Sequence, residues 1–272
     1  MAKSSKRRQT SNGSAKKQLK RLLTAANAHS NPLDSLPPAF IRVEIASTPL
    51  DKKNDTKVTS ASVRYYKSPL PPILLKQCLE LFERNMGDMY RESEWGLDME
   101  EKKKELEHED ARFLIIMEDD SNEISPTNDA ADDSAVVSVT DDLPGAVDNI
   151  TIATNSPSEQ QQRKILGFAH FRYEPNTDSP TPHAPITYLY ELQISLTSHG
   201  LGKKLMTLIE LLSLKFQMTK VILTVFKRNK GAMRFYLERL GYEVDECSPS
   251  MFEGEENEGA EYEILSKALS SK

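Results

Sequence analysis

Gly200 and Gly202 stand two residues apart, directly after a strand-like run and directly before a helix-like one, with Lys203 and Lys204 behind them. Glycines at such a junction let the backbone approach a ligand and aim the free N–H groups of a helix start at it, while the lysines add positive charge. The chemistry these residues suit is the holding of a phosphate or pyrophosphate. A nucleotide P-loop is excluded, because Thr197 stands where its first Gly belongs and Lys204 where Ser or Thr belongs. The dinucleotide fingerprint fails as well, with Leu205 in place of its third Gly. By themselves the two glycines are equally compatible with a plain helix-start turn.

The elements that position this turn are legible on both sides. From Thr187 to Ser195 the residues alternate, placing Tyr188, Tyr190, Leu192 and Ile194 on one expected face and Leu189, Glu191 and Gln193 on the other. Leu201, Leu205, Leu208, Ile209 and Leu212 then recur at helical spacing. Val221 to Phe226 reads as a buried strand that runs into a helix headed by Asn229. Upstream, Pro71-Pro72 opens an apolar helix through Leu79, Leu81, Phe82 and Met86, and Met99 to Glu109 reads as a charged, exposed helix, with Tyr90 and Trp95 in the linker between them. Arg112 to Met117 and Ile165 to Tyr173 are strand-like.

Asn229, then Ala232, Phe235-Tyr236 and Gly241-Tyr242, together with Gly200-x-Gly202, resemble the acetyl-CoA site of the GCN5-related N-acetyltransferases. The resemblance extends to one subfamily. Met89-Tyr90, Ser93-Glu94-Trp95-Gly96, His170-Phe171-Arg172-Tyr173, Tyr188-x-Tyr190-Glu191-x-Gln193, Leu223-Thr224-Val225-Phe226-Lys227, Ser248-Pro249-Ser250-Met251 and Tyr262-Glu263-Ile264-Leu265-Ser266 are similar, in that order, to the NatD-type N-alpha-acetyltransferases, which acetylate the N-terminal amines of histone four and histone two-A. It implies an α/β fold, a mixed twisted sheet flanked by helices and splayed where acetyl-CoA enters. It also implies a monomer that acts on histone N-terminal tails without an auxiliary subunit.

Acetyl transfer from a thioester needs a neutral amine, a polarised carbonyl and a reprotonated thiolate. A protein N-terminus, with a pKa of about 7.7 to 8.0, is substantially neutral near pH 7.5, so a modest base suffices. With the resemblance, Glu191 is the candidate base; without it, an ion-paired strand carboxylate is the commoner reading. Tyr236 is either the acid that returns a proton to the thiolate or a packing residue. The resemblance places Tyr90, Trp95, Glu174, Tyr188, Tyr190 and Tyr262 along the peptide groove, where aromatic walls suit a small Ser-Gly N-terminus and Glu174 suits a substrate Arg or Lys. Backbone at Leu192, Gln193 and Ile194 would pair with the pantetheine arm as an added strand. Thr197, Ser198, His199, Gly200, Leu201, Gly202 and Lys203 would cradle the pyrophosphate, with Asn229 beside them. The superfamily favours Arg or Gln three residues before the first Gly, where this chain has Thr197-Ser198-His199 in a shorter loop. Two other functions fit the same fold: acetylation of lysines or other amines, and non-catalytic binding of acetyl-CoA or histone tails.

Of 272 residues, Met1 to Leu33 carries eight Lys and Arg and no acid, and Glu118 to Gln162 carries repeated Asp and Glu and no Lys or Arg. The first segment, residues 1–35, is expected as a basic tail with a helix over Ala15 to His29. Its clusters fit an import signal, hence nucleus and cytoplasm, a solvated tail, or nonspecific nucleic-acid contact. The second, residues 118–162, is expected as a disordered acidic insertion in a β-hairpin. The remainder of 36–272 forms one acetyltransferase domain. No run of eighteen apolar residues occurs, and neither a membrane nor a direct nucleic-acid role is expected. Two cysteines and five histidines without ligand spacing imply no metal.

Overall fold

The computed structural model describes residues 3–46, 58–119, 163–177, 184–252 and 259–269. The acidic insertion lies, apart from its first two residues, outside them. Eight strands form one sheet in the order β1-β2-β3-β4-β5-β6-β8-β7. They are β1 (Arg42–Ala46), β2 (Val58–Lys67), β3 (Arg112–Glu118), β4 (Ile165–Pro175), β5 (Pro185–Ile194), β6 (Lys220–Phe226), β7 (Glu243–Val244) and β8 (Tyr262–Ala268). Every pairing is antiparallel except β5 with β6.

Both faces of the sheet are covered, which is why β3 and β4 read as continuous apolar runs. On one face Phe113, Ile115, Met117 and Phe168 meet Leu74, Leu75, Cys78 and Leu81 of α3 (Pro72–Arg91) and Leu106 of α4 (Met99–Leu106). On the other, Leu114, Ile116, Leu166 and Ala169 meet Leu201, Leu205, Leu208, Ile209 and Leu212 of α5 (Leu201–Lys215). The N-terminal helix α1 (Lys3–Ala28) is longer than the expected Ala15 to His29 and packs on this second face through Ala26. Its C-terminal end is capped by cations: Lys67 Nζ and Arg112 Nη2 donate to the Asn27 carbonyl at 3.0 and 3.2 Å, where the helix leaves its last C=O groups unbonded. Lys16, Lys17, Lys20 and Arg21 remain exposed.

The feature that makes a site is the partial pairing of β5 with β6. The parallel ladder runs from Ile186–Lys220 to Leu189–Leu223 and stops, although β5 continues to Ile194 and β6 to Phe226. From Tyr190 onward β5 keeps β4 on one side and has no strand on the other. Among the described residues, no helix is long and apolar enough to cross a membrane, and no cluster of His, Cys, Asp and Glu could hold a metal.

Candidate active site

The register of β5 against β4 changes at the opening. His170 pairs with Glu191 and Phe171 with Leu189, so Tyr190 is an extra residue, a β-bulge. A one-residue offset reverses the alternation beyond it. The expected faces are therefore corrected. Tyr190 stacks on His170, Glu191 meets α4, and Gln193 meets α3, so all three point to the α3–α4 side with Tyr188. Leu189, Leu192 and Ile194 pack into the core on the α5 side. The bulge thus puts two tyrosines, a carboxylate and an amide on one face at the point where the sheet splays.

Glu191 is 6 % exposed and both its oxygens are engaged. Lys102 Nζ donates to Oε1 at 2.8 Å, and Gln193 Nε2 donates to Oε2 at 2.8 Å. Lys102 also donates to both oxygens of Glu105 at 3.0 and 3.1 Å. Gln193 Oε1 accepts from Asn85 Nδ2 of α3 at 3.1 Å. Burial pushes Glu191 above the ordinary carboxylate range against the pull of Lys102, while Glu105 lies below it, its bonding to Lys102 and the nearby His170 outweighing its burial. His170 is fully buried between Phe113 and Tyr190, with Nδ1 3.7 Å from Glu105 Oε1, beyond hydrogen-bond reach. Burial lowers it to about 4, so it is neutral at pH 7. Lys102 corrects a second expectation. The helix read as charged and exposed ends at Leu106 and turns Lys102 and Leu106, one helical turn apart, inward.

Around this carboxylate the structure assembles a cavity of about 440 Å³. Of the residues singled out in the sequence, Tyr90, Trp95, Tyr188, Tyr190, Glu191, Leu192, Gln193, Asn229, Tyr236 and Tyr262 line it. Tyr90 comes from the last turn of α3 rather than the linker. Trp95, half exposed, bridges Phe226 and Tyr262 at ring separations of 4.8 and 5.1 Å. Burial pushes the Tyr90 phenol up to about 12. Glu174 stands one step behind the wall and accepts a 2.7 Å hydrogen bond from the Tyr190 hydroxyl, while the Arg172 guanidinium lies 4.2 Å from that ring. Tyr188 and Thr224 hydroxyls meet at 2.7 Å across the gap between β5 and β6.

Tyr236 reaches the cavity from a π-helical turn, Phe235–Arg239, that follows α6 (Lys230–Arg234). Burial raises its phenol well above the ordinary value, so it stays protonated. Asn229 caps α6, its side-chain oxygen accepting from the Ala232 N–H at 3.1 Å. Sequence reasoning missed Lys102, Glu105, Asn85, Thr224 and Phe226 as site residues. For Lys102 the available signal was its i,i+4 spacing from Leu106, and for Glu105 its i,i+3 spacing from Lys102.

Ile194, Thr197, Ser198, His199, Gly200, Leu201, Gly202 and Lys203 do not line this cavity and lie further along, at the end of β5 and the start of α5. Gly200 adopts φ +73°, and Ser198 φ +68°. The first backbone bond of α5 runs from Lys204 N–H to the Gly200 carbonyl, which leaves the N–H groups of Leu201, Gly202 and Lys203 as helix-start donors. The Leu201 side chain is in the core. A Cβ on Gly202 would lie 3.3 Å from Phe235 Cζ, so this glycine serves close packing as well. Lys204 is turned away, donating to the Ala39 carbonyl at 3.0 Å, and Lys203 is the exposed cation of the turn.

Residues 154–242 match the model of the Acetyltransferase (GNAT) family. The chain has the fold of the GNAT acetyltransferases. Solved structures similar to it include the following three. Arabidopsis thaliana NAA60 in complex with a bisubstrate analogue is 13 % identical over 77 % of this chain and 100 % of that one, with a TM-score of 0.44. Ard1 from Thermoplasma volcanium is 12 % identical over 78 % and 99 %, at 0.43. The PaiA N-acetyltransferase of Thermoplasma acidophilum, in complex with coenzyme A, is 15 % identical over 76 % and 99 %, at 0.41.

Proposed function

We propose that this protein is an acetyl-CoA-dependent N-alpha-acetyltransferase of the NatD type, taking the free Ser-Gly N-termini of histone four and histone two-A as acceptors. The observation that carries the reading is the enclosure of Glu191 by Tyr90, Trp95, Tyr188, Tyr190 and Tyr262 where β5 parts from β6. A carboxylate with a raised affinity for protons, walled by rings, suits a small uncharged amine better than a long flexible lysine. In this reading the unpaired edge of β5 bonds the pantetheine arm, the free N–H groups at the α5 start hold the pyrophosphate, and Glu191 takes the amine proton directly or through water. The thioester carbon then bonds to the amine nitrogen as its bond to sulfur breaks, and the buried, protonated Tyr236 phenol that lines the cavity returns a proton to the leaving thiolate. Glu174, one step behind the wall and bonded to Tyr190, is in this reading the counter-charge for a basic side chain further along the tail. The exposed lysines and arginine of α1 support the accompanying proposal of nuclear as well as cytoplasmic residence.

The test is acetyl transfer from labelled acetyl-CoA to a peptide beginning Ser-Gly-Arg-Gly-Lys, to one beginning Met-Leu, and to an N-terminally blocked Ser-Gly control. Transfer to the free Ser-Gly peptide alone is expected. Transfer to the blocked peptide would mean lysine chemistry, and binding without turnover would mean a binding module.

A further inference from the structure

Of the two hydrogen bonds that hold Glu191, one comes from its own strand and the other from a lysine on a different element. Lys102 spends its N–H donors on Glu191 and Glu105, and its ammonium lies 4.7 Å from the Phe82 ring centre and 5.5 Å from that of Tyr90. Its side chain is 9 % exposed. A lysine serving only the helix would pair with Glu105, three residues on, at the surface, where such pairs contribute little. Burying an ammonium is costly unless its partners require it there. Lys102 is buried, and it crosses from α4 to β5 to reach the carboxylate at the centre of the cavity.

We propose that Lys102 is a positioning residue for acetyl transfer, its ammonium clamping the Glu191 carboxylate against Gln193 in the orientation from which Glu191 receives the proton of the acceptor amine. The inference rests on the assignment of Glu191 as base made above. The groups facing Glu191 are Lys102 and Glu105 from α4, Tyr90 from α3, His170 from β4 and Tyr236 from the π turn. The two phenols stay protonated through neutral pH, and His170 is neutral above about 4. Lys102 and Glu105 therefore decide the electrostatics, and they act in opposite directions: the ammonium favours ionised Glu191, and the second carboxylate opposes it.

The experiment is kcat/KM against pH with the Ser-Gly peptide for wild type, Lys102→Met, Lys102→Arg, Glu105→Gln and Glu191→Gln. The limb to follow is the lower acid limb, since the amine's own limb stays at about 7.7 to 8.0. In Lys102→Met that limb moves up by about one pH unit or more and kcat at pH 7 falls about tenfold, with the acetyl-CoA KM little changed. Glu105→Gln moves it down, and Lys102→Arg returns it toward wild type. A limb unmoved in Lys102→Met, or displaced in the same direction by both neutralising variants, overturns the proposal. Should Lys102→Met lose its thermal transition, Glu105→Gln decides, an unmoved or raised limb overturning it. If Glu191→Gln retains the wild-type rate, the base assignment itself falls; if it is inactive and the limb ignores Lys102, only the positioning role falls.

Discussion

Gln193 donates to Glu191 at 2.8 Å with its nitrogen while its oxygen accepts from Asn85, so the amide cannot flip without losing both bonds. Two residues apart on β5, the amide and the carboxylate share a face. A hydrogen bond to a charged group contributes about 1.5 to 3 kcal/mol, which corresponds to roughly 10- to 160-fold in rate if it is made to the reacting carboxylate. Gln193→Met is expected to lower kcat within that range and to leave acetyl-CoA affinity close to wild type. Steady-state kinetics in both substrates checks this, and a change confined to the acetyl-CoA KM would contradict it.

Glu191→Gln keeps the shape of the side chain and its place opposite Lys102 but removes the capacity to accept a proton. Loss of a positioned general base lowers turnover by about 10²- to 10⁴-fold. Acetyl-CoA binding, measured by calorimetry, is expected to be unchanged. Because burial raises Glu191, it becomes protonated at a higher pH than an exposed glutamate, whose value is about 4.3. Wild-type kcat/KM is accordingly lost on acidification while the pH is still above that value.

How much of this site the chain reveals by itself differs between its parts. Whereas β1, β2, β7 and β8 are not anticipated from periodicity, strands β3, β4, β5 and β6, the Asn229 cap and the glycine turn follow from periodicity and turn chemistry, which are local. The bulge at Tyr190 does not, because an unbroken alternation from Tyr188 to Ile194 has the same composition whether or not one residue is skipped by the neighbouring strand. Lys102 was hidden for a related reason. In Met-Glu-Glu-Lys-Lys-Lys-Glu-Leu the one-turn spacing from Leu106 is a weak mark on Lys102, and its partner appears only when α4 is laid beside Glu191, eighty-nine residues away. The convergence of Tyr90, Trp95 and Tyr262 is likewise tertiary, and only the family resemblance anticipated it.

His170 predicts a pH-dependent stability. Its folded value is about 4 against an ordinary 6.5, so between these the unfolded chain binds more protons and stability falls as pH falls. The contribution is fully present above about 6.5 and is lost by about 4, amounting to about 3 kcal/mol. His170→Phe preserves the stack between Phe113 and Tyr190, and neither ring nitrogen has a hydrogen-bond partner to lose. The variant is expected to match wild type in Tm at pH 7 and to exceed it at pH 5. An unchanged slope of Tm against pH would contradict the assignment.

The glycine turn makes two separable predictions. Gly200 has φ +73° with open space around its Cα, so Gly200→Ala carries backbone strain of about 1 to 2 kcal/mol and no clash. Gly202→Val instead pushes the α5 start against Phe235. Both variants are expected to raise the acetyl-CoA KM several-fold, about 3- to 30-fold, with the peptide KM unaffected. Titration of coenzyme A against each purified variant checks the direction, and unchanged affinity in both would remove the turn from the cofactor site.

Residues 121–158 join two strands that are already neighbours. Met117 pairs with Ile165, and the Glu118 N–H donates to the Lys164 carbonyl at 3.3 Å, so the ladder is closed on either side of the insertion. Loop-closure entropy grows only logarithmically with length, so a long connection and a short one differ by about 1 to 2 kcal/mol, in favour of the short one. The composition of the segment, acidic and poor in large apolar residues, offers no core to lose. Replacing Ser121–Ser158 by a short Gly-Ser turn is therefore expected to keep or slightly raise Tm and to leave kcat for the Ser-Gly peptide within about twofold of wild type. A selective rise in the KM of the basic peptide, with Tm intact, would instead assign the acidic segment to tail capture.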